Sequence, residues 1–210
     1  MTGLSELAAP EHTAIVTQEC QGAVIGPHAG LAELAEEARR LALPNIVRLL
    51  PAARTAGVRV VHCLVQRRPD GLGSNHNAKI FALGRGQVDI APGTPGAALL
   101  TELGPEPSDL VLSRWHGVGP MGGTDLDAVL RNLGVSIVVV VGVSLNIAIP
   151  NFVMDAVNAA YHVVIPDDAV AGIPTEYGAA VIANTLSLLA TITTTDALLQ
   201  VWRQRAEGNP

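Results

Sequence analysis

Aromatic side chains are scarce: two Phe, two Tyr and two Trp in 210 residues. The interior must therefore rest on aliphatic packing rather than on ring contacts. Charge is also thin. Charged residues make up 15% of the chain, with a formal net charge of −6. A nucleic-acid binder needs a basic face to meet phosphates, and this composition does not supply one. Cysteine is limited to Cys20 and Cys63. Two thiols make no disulfide framework, and each lies in or beside an apolar run, as reduced buried cysteines do. No apolar run reaches the ~20 residues that a bilayer helix requires; the longest covers 135–143. The opening residues show no basic segment followed by an apolar one, so no secretory leader and no membrane partner are expected, and the expected location is the cytoplasm.

What is present is aliphatic and periodic. Strands are predicted at 13–18, 58–65, 109–113, 136–141, 162–165 and 190–193. Between them lie helical patterns at 29–40, 45–56, 126–133, 146–160, 176–189 and 196–204. Pro44 is expected to break or restart the first helical stretch, and Thr124 to cap the helix that follows the glycine-rich loop 117–123. Residues 67–108 read as irregular, punctuated by Gly71, Gly73, Gly84, Gly86, Gly93 and Gly96. A segment this long without elements of its own is usually functional or a subunit contact. Strands alternating with helices predict a single α/β domain over 1–210 with a mostly parallel, six-stranded sheet between helical layers.

In such a sheet ligands bind beyond the carboxyl ends of the strands. That places Glu19 to Gln21, Gln66 to Arg68, Arg114 to His116, and the stretch from Val143 to Ala148 at the rim. A carboxylate at Glu19 suits a general base. Arg114 can orient that carboxylate and hold an anion, and His116, two residues on, points the same way if the strand persists. Trp115, Asn146, Ile147 and the flexible-loop His76 are the further candidates for substrate contact. His62, inside a strand, reads as a packing residue. A helix beginning near 146 offers unpaired N–H groups for an oxyanion. No glycine fingerprint for a dinucleotide and no His/Asp/Glu set with metal spacing is visible, so neither cofactor nor metal is expected.

Four stretches in order resemble the isochorismatase-like, or cysteine-hydrolase, superfamily, which includes nicotinamidases, N-carbamoylsarcosine amidases and isochorismatases. They are TAIVTQECQ (13–21), RTAGVRVVHCLV (54–65), DLVLSRWHGVGPMGGTDLDAVLRNLGV (109–135) and VVVVGVSLNIAIPNFVMDAVNAAYHVVIPDDAV (138–170). The resemblance implies a three-layer α/β/α fold and an Asp, Lys, Cys triad in which a thiol attacks an amide carbonyl. Glu19 falls on the family's aspartate and Gln21 on its following glutamine. The lysine falls on Arg114 counted from the strand, or on His116 counted back from Gly123. The cysteine falls on Ala148, whose methyl group does no covalent chemistry. The isochorismatase branch works by protonation without a thiol. This implies acid-base hydrolysis of a small, anionic substrate by Glu19 with Arg114 and His116. Two alternatives stand: a non-catalytic ligand-binding or structural subunit, and an isomerase or lyase using the same cleft. An open polar cleft favours an enzyme, and Leu145 and Trp115 collapsed onto Glu19 favour the non-catalytic reading. The family also implies a homodimer or homotetramer, with Arg67, Arg68 or His76 reaching a neighbour's cleft.

Overall fold

A computed structural model describes residues 3–82 and 88–208. Its strands are β1 (Thr13–Gln18), β2 (Arg59–Val65), β3 (Leu110–Arg114), β4 (Ile137–Val143), β5 (His162–Pro166), β6 (Val170–Ala171) and β7 (Thr191–Thr193). Its helices are α1 (Leu4–Leu7), α2 (Ala32–Arg40), α3 (Ala42–Ala56), α4 (Leu126–Asn132), α5 (Ala148–Asn158), α6 (Thr175–Asn184) and α7 (Thr195–Ala206). The strands pair in the order β3-β2-β1-β4-β5-β7, with β6 joined to β4. Every strand pairing is parallel.

The sheet thus has seven strands, one more than expected. The addition is β6, whose Val170 and Ala171 pair with Gly142 and Val143 at the end of β4. β5 pairs with β4 only along Ile137 to Val139, which leaves that end of β4 open. Two residues carry no periodicity, so a sequence pattern cannot reveal such a strand.

Central strands explain the continuous apolar runs. All six residues of β1 and all seven of β4 are buried, because both faces are covered. Alternate residues serve opposite layers. Ile15, Val139 and Val141 face one layer with Leu49, Leu50, Leu198 and Trp202 of α3 and α7. Val16, Val138 and Val140 face the other with Leu130, Ile149 and Phe152 of α4 and α5. Each fully buried aliphatic side chain contributes about 1.5–3 kcal/mol. Trp202 Nε1 donates to the Ala8 carbonyl at 3.0 Å, which ties α7 to the segment before β1.

The break between α2 and α3 falls at Leu41, not at Pro44. Pro44 sits in the first turn of α3, where its missing N–H has no helical partner to lose. Pro51 lies inside the same helix on its exposed face, where water can satisfy the carbonyl it strands. The helix after the glycine-rich loop starts at Leu126 with Asp125 at the N-cap; Thr124 Oγ1 still accepts from the Leu126 N–H at 3.2 Å. The expected helix from 146 starts at Ala148, and the one to 189 ends at Asn184 before a short 3-10 turn. The irregular segment holds 3-10 turns at Lys79–Phe81 and Thr101–Leu103; Gly84 and Gly86 lie outside the described residues. Among the described residues, no helix is long and apolar enough to cross a membrane.

His62 is a packing residue, as read from its strand position. It is fully buried, with Nδ1 2.8 Å from Thr17 Oγ1 and Nε2 3.4 Å from Asp109 Oδ2. Burial pushes its imidazole below the usual histidine value, although Asp109 opposes this. Burial pushes the Asp109 carboxyl up, but hydrogen bonds from Arg54 and the Glu106 N–H outweigh that and hold it low. Both depressions make the unfolded chain bind protons that the folded one refuses. Stability is therefore complete above pH ~6.5 and falls as the pH drops below it, with Asp109 adding its loss below pH ~4. The urea midpoint is expected to be lower at pH 5.5 than at pH 7.5. His62→Gln should shrink that difference, and an unchanged difference would remove His62 from the explanation.

Candidate active site

Between β1 and β4 the chain order reverses: β1 leads outward to β2 and β3, whereas β4 leads to β5 and β7. At such a switch point the loops leaving two neighbouring strands diverge and leave a crevice at their carboxyl ends. The two loops here begin at Glu19 and at Ser144. The strands themselves approach closely. A Cβ on Gly142 would lie 2.3 Å from the Gln18 carbonyl oxygen, and its φ is +110°, so only glycine fits.

Glu19 bends the chain out of β1 in a left-handed conformation, φ 55°. A non-glycine residue held there stores about 1 kcal/mol or more, and such residues cluster at functional sites. Its N–H donates to the Cys63 carbonyl at 2.9 Å, so the bend is pinned to β2. Its side chain, 15% exposed, accepts a short hydrogen bond from Arg114 Nη2 and a second from Gln18 Nε2 at 3.2 Å. Arg114 is the last residue of β3, 5% exposed, and its Nε reaches the Gly117 carbonyl at 3.5 Å. Among the described residues, Arg114 Nη1 and Gln18 Oε1 have no hydrogen-bond partner.

This pair forms the floor of a cavity of about 260 Å3. Gln66, Trp115, His116, Ile147 and Ala148 line it with Glu19 and Arg114, so most of the expected residues do converge. Ser144 and Arg67, from the rim stretches 143–148 and 66–68, line it too; Asn75 is a polar member that sequence reasoning did not select, and Val24, Leu34, Ile80, Phe81, Val88 and Ile90 supply an apolar wall. Ile80 and Phe81 were the available signal: an apolar pair inside a polar, glycine-rich segment. The cleft is open, with Trp115 45% exposed at its rim, and Leu145 is buried against Gly172 and Gly178 instead of against Glu19. It is more apolar than expected.

Three expectations need correction. Gln21 is fully buried and committed to backbone: Nε2 donates to Val65 and Gly96 carbonyls and Oε1 accepts from the Val65 N–H. Asn146 is likewise bonded to the N–H and carbonyl of Ile173, and it is not among the residues lining the cavity. His76 is exposed and lines an adjoining surface depression with Arg68 and Asp70. In addition, β3 ends at Arg114, so His116 does not continue its direction; its imidazole packs toward Gly123. No group of three His, Cys, Asp or Glu among the described residues could hold a metal ion.

Neither thiol lines the Glu19 cavity. Burial and the Glu19 charge push Cys20 up to about 12. Burial likewise pushes Cys63 up to about 12, with Arg114 opposing. Cys63 lines a separate cleft of about 220 Å3 shared with Arg114 and His116.

The isochorismatase domain model matches residues 13–197. The chain belongs to the isochorismatase family. Among its relatives, the ureidoacrylate amidohydrolase RutB of Rhizobium rhizogenes is 28% identical over 174 residues, covering 76% of this chain and 70% of that protein. The RutB of Methylorubrum extorquens strain AM1 is 33% identical over 139 residues, covering 60% and 56%. A cysteine hydrolase structure from Pseudomonas syringae pv. phaseolicola superposes with a TM-score of 0.81 at 22% identity, covering 93% of this chain and 94% of that one. N-carbamoylsarcosine amidase from Thermoplasma acidophilum gives a TM-score of 0.70 at 23% identity, covering 88% and 97%. The α/β fold is that of the isochorismatase family, and these relatives are named as hydrolases. In this member of the isochorismatase family Glu19, Arg114 and Ala148 line one cavity.

Proposed function

We propose that this protein hydrolyses a small, anionic substrate by direct attack of water, with Glu19 as proton carrier and no thiol nucleophile. The observation that carries the reading is the Glu19–Arg114 contact on the floor of an open cavity that Ala148 also lines. Ala148 offers only a methyl group, and the buried thiols lie outside the cavity, so a covalent intermediate on sulfur has no donor here. Glu19 takes a proton from a water held beside it, and the resulting hydroxide adds to the substrate carbon. Negative charge on the substrate oxygen is met by the Ala148 N–H at the start of α5, since the Ile149 N–H already donates to the Ser144 carbonyl at 3.0 Å and Pro150 has none. The proton on Glu19 then passes to the leaving nitrogen or oxygen. Arg114 fixes the carboxylate through this cycle and is a positioning residue.

Charge on the lining supports an anionic substrate. Arg67 and Arg114 bring two guanidiniums against the single carboxylate of Glu19. The relatives' named activities supply the first compounds to try: ureidoacrylate, N-carbamoylsarcosine and isochorismate. Purified protein is expected to consume at least one of them, and to keep that rate after iodoacetamide treatment of the folded enzyme. Turnover of none, or a rate abolished by alkylation at Cys20 or Cys63 without unfolding, would defeat the reading.

A further inference from the structure

The geometry points to Arg67 as the anion anchor of this cavity, holding the carboxylate of a small carboxylic acid while its scissile group lies against Glu19. This deepens the hydrolytic reading above and rests on it. The first observation is negative. Arg114, the residue that sequence spacing offers for the anion, is 5% exposed and already bonded to Glu19. Its remaining Nη1 is unpartnered but buried out of a ligand's reach, and pulling the guanidinium into the cavity would strip Glu19 of its partner.

Arg67 is placed differently. It follows β2 by two residues and is half-buried, and its backbone N–H is fixed to the Ile90 carbonyl at 3.1 Å. Its Nη2 makes one long bond, 3.4 Å, to the Val88 carbonyl. Among the described residues no carboxylate lies within ion-pair distance of it, whereas Arg39, Arg40, Arg48, Arg54, Arg68, Arg114 and Arg131 each have one. The contrast with its neighbour is direct. Arg68 is held bidentately by Asp70 at 2.9 and 2.7 Å in the adjoining depression, which leaves that cation neutralised. Two adjacent arginines thus have opposite fates, and the one facing the cavity keeps its charge open.

The wall beside Arg67 is apolar, formed by Phe81, Val88 and Ile90. A cation against such a wall is poorly solvated, and a bidentate carboxylate compensates it better than water does. Size narrows the class. The cavity holds about 260 Å3, which suits a short aliphatic or single-ring acid.

Calorimetric titration with matched acid and amide pairs tests this: propanoate and propanamide, hexanoate and hexanamide, benzoate and benzamide. At least one acid is expected to bind wild-type protein about 10–100-fold more tightly than its amide. Arg67→Gln should bring that ratio near one, Arg67→Lys should keep part of it, and Arg68→Gln should leave it unchanged. On a turned-over acid, Arg67→Gln should raise KM about tenfold or more with kcat within about threefold. Absence of any acid preference in wild type, a preference that survives Arg67→Gln, or an equal loss in Arg68→Gln would overturn the anchor. If the preference survives while Glu19→Gln still abolishes turnover, the anchor fails and the hydrolytic reading stands. If Arg67→Gln removes the preference while Glu19→Gln leaves turnover intact, the anchor stands and the hydrolytic reading fails.

Discussion

Replacing Glu19 with glutamine is expected to lower kcat by about 10²–10⁴-fold, the range that positioned proton transfer contributes. Glutamine keeps the side-chain length and one carbonyl oxygen for Arg114, but it cannot take a proton from water. KM should stay within a few-fold of wild type, because the substrate's charge is held at Arg67 and its body against the apolar wall. Steady-state kinetics at a temperature where both proteins are folded separates the two parameters. A fall in kcat with unchanged KM reports an interaction made in the transition state; a rise in KM alone would place Glu19 in substrate binding.

The second large effect is on stability, and it is asymmetric. Glu19→Gln leaves the Arg114 guanidinium, 5% exposed, without a counter-charge. Breaking one side of a buried pair costs about 3–5 kcal/mol, and the retained carbonyl puts this case at the low end. Arg114→Met leaves a carboxylate that faces the open cavity, where water can reach it, so a loss of only about 1–2 kcal/mol is expected. The double variant removes both charges and should recover part of the first loss. Chemical denaturation of all four proteins gives the coupling energy, expected at about 2–3 kcal/mol. Simple additivity would show that the short contact between Glu19 and Arg114 carries no energy of its own.

Most of the fold was legible because the sheet's centre is buried on both faces. A run such as Ile137 to Val143 has no polar alternation to confuse, and the helices between strands carry a clear apolar stripe. Errors fell where local pattern and backbone geometry part. Pro44 looks like a break in sequence, yet it occupies a first turn where proline is harmless. β6 has two residues and exists only because β5 leaves the end of β4 uncovered. In the site, residues whose backbone leaves a strand end directly, Glu19, Gln66 and Arg114, line the cavity. Gln21 and Asn146 do not, because a side-chain amide serves a loop backbone as readily as a ligand, and one-dimensional spacing cannot tell which. Arg67, in the rim stretch that follows β2, lines the cavity as well, its backbone N–H fixed to Ile90 far along the chain.

Thiol-independence decides the matter most directly, measured as kcat of Cys20→Ala/Cys63→Ala beside kcat of Glu19→Gln on one substrate. The cysteine-free protein should stay within about threefold of wild type while the glutamine variant falls by at least ~100-fold. The reverse order, with activity lost alongside the thiols and kept without the carboxylate, would contradict it.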